Sequence, residues 1–269
     1  MTRRVRPLGI LVCMACSCVA VPRSTSAQPI PDQPLITDKA ISEVRAATTI
    51  APPSRGLFAQ VLSDFRQLPS KDTLAILSIG AVGARVGHAF DGRVTNSLSQ
   101  SRSLDGSAGA GNTMGSTAVQ FGGAIATYAL GKATHNPTVT SIGTDLVRAQ
   151  IMAQTLTQGI KMTAGRTRPD GTRYSFPSGH TSTAFATATV LQRHLGWKAG
   201  VPAYGLATFV ATSRVQSKRH YLSDVAFGAA LGIVAGRTVT IGHGDARFAV
   251  SPAVAPGGGG VNFTWVGGK

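Results

Sequence analysis

From residue 56 onward the apolar positions repeat mostly at helical spacing. Phe58, Val61, Leu62 and Phe65 fall on one side of 56–68, the three-and-four spacing of an amphipathic helix. Six further helices are predicted near 72–90, 116–133, 140–163, 181–195, 200–213 and 219–238. The clearest is 140–163, where Ile142, Leu146, Ala149, Ala153, Leu156 and Ile160 form a narrow apolar stripe. Asp145, Arg148, Gln150, Gln154 and Gln158 occupy its other face. Such a face suits a bundle in water better than a helix in lipid, where each charge is costly. The stretches 118–131 and 225–236 are apolar nearly throughout, yet both fall short of the ~20 residues of a comfortable membrane span. The expected fold class is therefore all-α, a bundle of about six core helices.

Three regions break this pattern. The Ser/Gly-rich stretch 91–115 has no helical stripe and is expected as a long loop, for which both a mobile flap near a pocket and plain disorder fit. At the end of the chain, β-like runs at 248–254 and 261–266 flank Pro256-Gly257-Gly258-Gly259-Gly260, which predicts a terminal hairpin. At the start, Arg3, Arg4 and Arg6 precede an apolar run over 8–21, and Thr25-Ser26-Ala27 supplies small residues. That is the layout of an export signal. Pro29, Pro31, Pro34, Pro52 and Pro53 then mark an extended tether. The expected organisation is a signal over 1–27, a linker over 28–55, a helical domain over 56–245 and a β-like tail over 246–269. The mature protein is expected to be periplasmic or secreted, with association at a membrane surface left open.

Composition narrows the partners. The formal net charge is +15, with 14% charged residues, 6% aromatic residues and 32 glycines. A basic balance first suggests nucleic acid. Here the bases are scattered and aromatics are few, so no stacking platform forms, and no nucleic-acid partner is expected. Anionic phosphate substrates or an anionic envelope account for the charge. All three cysteines, Cys13, Cys16 and Cys18, lie in the signal, so the mature chain would need no disulfide.

The chemistry is concentrated between residues 161 and 224. Lys161 is followed by Arg168-Pro169, then by Pro177-Ser178-Gly179-His180, then by Ser213-Arg214, His220 and Asp224. Arginines suit bidentate grips on phosphate oxygens, and a lysine adds a point charge. Gly179 at a helix start allows close backbone approach, and the first-turn N–H groups attract an anion. On a helix, His220 and Asp224 would share a face, so the carboxylate could hold one ring nitrogen and leave the other free to attack. Each piece alone has a plain structural meaning: a solvated cation at a helix end, a Ser-capped helix start, a surface His–Asp pair. His88, His135, His194 and His243 show no metal-ligand spacing. No metal and no cofactor are expected.

The ordered set K-x6-R-P, P-S-G-H and S-R-x5-H-x3-D resembles the type 2 phosphatidic acid phosphatase superfamily, which also holds bacterial non-specific acid phosphatases and vanadium haloperoxidases. The resemblance implies a phosphatase acting on phosphomonoesters or lipid phosphates without metal. It also implies roles. His220 would be the nucleophile that forms a phosphohistidine, and Asp224 would orient it. His180 would be the general acid. Lys161, Arg168, Ser178, Gly179 and Arg214 would bind the phosphate. The link 170–176 is shorter than in many members of that family. Two other functions fit the same residues: a vanadium-dependent haloperoxidase, whose members are usually longer, and a non-catalytic envelope protein that binds phosphorylated lipid. The two histidines with Asp224 argue against the second, because binding alone needs no acid. The six-helix order also matches the membrane branch of the superfamily, so a membrane-embedded core stays open beside a soluble one.

Overall fold

The protein, here as a computed structural model, is described over residues 56–101, 107–241, 247–255 and 258–266, the last two by backbone alone. The expected signal and linker, and His243, lie outside the described residues. The helices are α1 (Leu57–Gln67), α2 (Lys71–His88), α3 (Asp91–Ser99), α4 (Ser107–Met114), α5 (Thr117–Ala133), α6 (Pro137–Ala164), α7 (Gly179–Leu195), α8 (Trp197–Gln216) and α9 (Leu222–Val239). The fold is an all-α bundle. A hairpin follows, with β1 (Arg247–Ala255) antiparallel to β2 (Gly258–Val266) and Arg247 opposite Val266.

Local chemistry sets several ends. The Ser70 hydroxyl accepts from the Thr73 N–H to start α2, and Asn136 accepts from Thr138 and Val139 to start α6, whose first residue is Pro137. Gly165, at φ 56°, closes α6 in the left-handed conformation.

α6 lies at the centre, against α1, α5, α7 and α9. Ile142, Leu146, Ala149, Met152 and Ala153 join Ala186, Val190, Ala235 and Val239 in the main core. The first half of its polar face is turned inward, contrary to the expectation from its pattern, whereas Gln158 near its end is exposed. Gln150 is fully buried and donates to Thr187 Oγ1 at 2.8 Å. Asp145 is buried with Arg148, which also grips Asp64 of α1 through both Asp64 oxygens, and His194 Nε2 lies 2.8 Å from Asp145. A helix enclosed on several sides must bury both faces, and its polar groups persist there because they pair with one another.

α7 and α9 pack backbone to backbone. A Cβ on Gly232 would stand 2.3 Å from the Ser182 carbonyl oxygen, one on Gly228 2.7 Å from that of Ser178, and one on Gly236 2.5 Å from Thr189 Cβ. Three glycines four residues apart thus let the start of α7 settle on the start of α9, where the Ser178 N–H donates to the Asp224 carbonyl at 3.0 Å.

The stretch 91–115 is not a loop: it holds α3 and α4. Asp91 anchors α3 by accepting from the Ser223 N–H at 2.9 Å and its hydroxyl at 2.7 Å. These contacts span 132 positions in sequence, which is why no local stripe announces the helix. The outer surface is apolar in places: Leu74, Ile79, Val82 and Val86 on α2, Val119, Ile125 and Leu130 on α5, and Trp197, Val201 and Leu206 on α8 are exposed. Among the described residues one helix, Leu222–Val239, is long and apolar enough to cross a membrane, and 67% of it is buried in the bundle. The bent pair Lys71–His88 and Asp91–Ser99, at 73°, passes only as one unit.

Candidate active site

The residues singled out in the sequence converge on one cleft. Lys161 sits in the last turn of α6, Arg168 in the loop after it, Gly179 and His180 in the first turn of α7, Arg214 in the last turn of α8, and His220 in the turn before α9. All six line a cavity of about 200 Å³. Thr117, Gln154 and Gln158 complete it with polar side chains, and Arg219 adds a cation.

Two predicted members stand behind the cavity rather than in it. The Ser178 hydroxyl caps α7, 3.4 Å from the Thr181 N–H and 2.9 Å from Thr181 Oγ1, and Ser178 is fully buried. Asp224 is also fully buried, one layer beneath His220. The pairing of these two differs from the expectation. His220 is not on the helix, which begins at Leu222, so the two do not share a helical face. Asp224 is the third residue of α9, and its Oδ2 reaches back to accept from the Tyr221 N–H at 2.8 Å. His220 is held instead by its own N–H, which donates to the Arg214 carbonyl at 3.1 Å. Its Nδ1 stands 3.6 Å from Asp224 Oδ2, an ion-pair contact longer than a hydrogen bond, and has no other partner.

Asp224 is locked on every side. Besides Tyr221, the Ser175 hydroxyl donates to Oδ2 and Arg166 donates to Oδ1 at 2.7 Å. Arg166 also reaches Ser223 Oγ at 2.7 Å and Asp91 Oδ2 at 2.7 Å, and its guanidinium lies 4.3 Å from the centre of the Tyr221 ring. Sequence reasoning missed Arg166, Ser175, Asp91 and Arg219. Arg166 is two residues before Arg168 and Arg219 adjoins His220, so proximity to the motifs was a usable signal for both. Nothing local points to Ser175 or Asp91.

The electrostatics follow from burial among cations. Burial, then the charges of Arg214, His220, Arg168 and Lys161, pushes the His180 imidazole down to about 4. Burial likewise brings His220 to about 4, with Lys161 and Arg168 adding to the shift and Asp224 opposing it. Lys161 falls to about 8 through burial and then Arg168, and its ammonium donates to the Tyr174 carbonyl at 2.7 Å. Arg214 falls to about 10, chiefly by burial. Burial alone would raise Asp224, but His220, Ser175, the Tyr221 N–H and Arg166 outweigh it and hold the carboxylate below its usual range. The result is a cationic pocket with two neutral imidazoles and one fixed carboxylate, which suits an anion that can be attacked.

Residues 143–248 match the family described as the PAP2 superfamily, the same type 2 phosphatidic acid phosphatase superfamily that the motifs resemble. This region is a PAP2 superfamily domain. The chain is 48% identical over 80 residues to the lipid A 1-phosphatase of Porphyromonas gingivalis, which is 28% of this chain and 18% of that protein. It is 29% identical over 96 residues to the lipid A 4'-phosphatase of Helicobacter pylori, 31% of this chain and 48% of that protein. The matches thus span less than half the length of either curated relative. Among solved structures, Aquifex aeolicus LpxE is similar over 57% of this chain and 96% of its own, with a TM-score of 0.49 and 22% identity. The first transmembrane PAP2-type phosphatidylglycerolphosphate phosphatase from Bacillus subtilis is similar over 68% of this chain and 92% of its own, with a TM-score of 0.42 and 20% identity.

Proposed function

We propose that this PAP2 domain is a metal-independent phosphatase that hydrolyses lipid phosphate monoesters through a phosphohistidine. The observation that carries the reading is that Lys161, Arg168, Arg214 and both histidines line one cavity. The names of the lipid A phosphatases that match parts of this chain point to a phosphorylated lipid as substrate.

In this reading Lys161, Arg168 and Arg214 neutralise the phosphoryl oxygens, with the first-turn N–H groups of Gly179 and His180 beside them. Ser178 supports the site through its cap on α7 and its bond to Asp224. His220 attacks phosphorus with Nε2 as the bond from phosphorus to the ester oxygen breaks. His180 gives its proton to that oxygen, and the alcohol leaves. Asp224 balances the positive charge that develops on the His220 ring. Water then loses a proton to His180 and attacks phosphorus, the phosphorus–nitrogen bond breaks, and orthophosphate departs. The side chains already supply the positive charge that a divalent metal would bring to phosphoryl transfer.

The exposed apolar residues on α2, α5 and α8 support a second part of the proposal: the domain associates with a membrane, where such a substrate resides.

Labelling tests the mechanism. Brief exposure to a 32P-labelled phospholipid monoester in excess chelator should give acid-labile, base-stable label in the natural protein and none in His220→Ala. Label that persists in the variant rejects His220 as nucleophile, and label that appears only after magnesium or zinc is added rejects metal independence.

A further inference from the structure

The region matched to the family begins at residue 143, yet one of the groups beneath the cleft comes from a residue that precedes it. α2 ends at His88 and α3 starts at Asp91, with a 73° change of direction between them. The turn lays Asp91 over the start of α9, and Gly87 keeps the approach close: a Cβ there would stand 3.5 Å from the Ser223 backbone. Asp91 is buried, and its two oxygens have different partners. Oδ1 accepts from the Ser223 N–H at 2.9 Å, which ties α3 to α9. Oδ2 accepts from Ser223 Oγ and from Arg166 Nη2, each at 2.7 Å, and the mostly exposed His88 reaches it at 2.9 Å. The other end of the guanidinium, Nη1, donates to Asp224 Oδ1 at 2.7 Å. Arg166 thus bridges two buried carboxylates, and the second of them faces the His220 ring.

We propose that Asp91 is a positioning residue for hydrolysis: by sharing Arg166, it lets that arginine hold the Asp224 carboxylate in place without cancelling the negative charge that His220 needs. The inference rests on the reading of His220 as nucleophile. In that reading positive charge develops on the His220 ring during attack, near Lys161 and Arg168, which both disfavour it. A carboxylate beside the ring favours the charged form. A guanidinium bound to that carboxylate alone would make a neutral pair and weaken the help, since opposite charges attract strongly where water is scarce. With Asp91 on the other end of the guanidinium and His88 neutral, two carboxylates and one arginine leave one net negative charge next to the ring. Arginine suits this place because its planar fork offers separate nitrogens to separate acceptors and stays charged. Its guanidinium also lies 4.3 Å from the centre of the Tyr221 ring, and the Tyr221 N–H donates to the other oxygen of Asp224, so the carboxylate is held at both ends. Asp91 does not line the cavity and acts through Arg166 and Asp224.

A double-mutant cycle provides the test. The full chain is assayed by release of 32P-labelled phosphate from dodecyl phosphate in detergent micelles, with inorganic phosphate as the competing ligand. Asp91→Asn, nearly the same in shape, should lower kcat about tenfold or more, a part of the ~10⁴-fold lost when the carboxylate beside a catalytic imidazole is itself neutralised. KM and the inhibition constant of phosphate should stay within about twofold, because Lys161, Arg168 and Arg214 are untouched. Asp91→Glu, which keeps the charge, should recover part of the rate. In an Asp224→Asn background the same Asp91→Asn change should alter kcat by less than about twofold. The full loss in both backgrounds would show a merely structural role and overturn the proposal, as would a loss below about threefold in the natural background. If Asp91→Asn does not fold by circular dichroism, Arg166→Lys, which keeps the charge but loses the fork, is taken through the same cycle and read in the same way. Asp224→Asn at the natural rate would instead overturn the role given to Asp224, and a natural protein that releases no phosphate would overturn the phosphatase reading itself.

Discussion

At the scale of single residues the site is defined by groups held away from their solution charge. His180 and His220, both near 4, are neutral in the empty cleft at ordinary pH, yet a proton donor must carry a proton when the leaving oxygen needs it. Burial is the largest cause of the His180 shift, but the repulsion from Arg214, Arg168 and Lys161 adds to it. An anion placed among those cations offsets that repulsion, so the pKa rises on binding. Between about 4 and the raised value the bound form holds more protons than the free form, and binding takes protons up. Sulfate is the clean probe, since it does not itself titrate there. Calorimetry at about pH 6, in buffers of different ionisation enthalpy, should show uptake that His180→Gln abolishes; heats independent of buffer would contradict this. Asp224 follows the opposite logic. Despite burial, His220, Ser175, the Tyr221 N–H and Arg166 fix it as a carboxylate before any ligand arrives.

At the scale of elements the glycine seam between α7 and α9 sets the geometry. Gly232→Val should lower stability by about 1–3 kcal/mol, the usual cost of overpacking, because its side chain meets the Ser182 carbonyl and the Ala186 amide rather than a yielding side chain. Gly159→Ala on α6, where a Cβ meets nothing, should instead raise it by about 0.5–1 kcal/mol through helix propensity. Thermal unfolding of the two variants checks both signs; equal effects would show that the seam is not under steric constraint. The seam also explains what the sequence made legible. Helices with a repeating stripe, such as 140–163, and motifs that sit at helix ends were readable because their signals are local. α3 and α4 were not, because Asp91 is satisfied by Ser223 and Gly111 by contact with Ser213, partners far along the chain. The buried polar face of α6 was misread for the same reason: Asp145, Arg148 and Gln150 look solvated until α1 and α7 close over them.

At the scale of the whole molecule two forces could bring the protein to a membrane, and they differ in their response to salt. The formal charge of +15 would draw it to anionic lipid, an attraction that fades as the Debye length shrinks to ~3 Å in molar salt. The apolar residues exposed on α2, α5 and α8, among them Ile79, Val82, Val201 and Trp197, would be held by burial instead, at roughly 25 cal/mol per Å², which salt does not weaken. The inward turn of the α6 polar face removes the argument for a wholly water-facing bundle, because the charges that would be costly in lipid are paired inside. Apolar contact should therefore dominate. On fractionation of cells that express the full chain, the protein should stay in the membrane pellet through a molar-salt wash and leave it only with detergent. Release by salt alone would assign the association to the basic charge, and recovery in the soluble fraction before any wash would show that the apolar surface faces water or another protein.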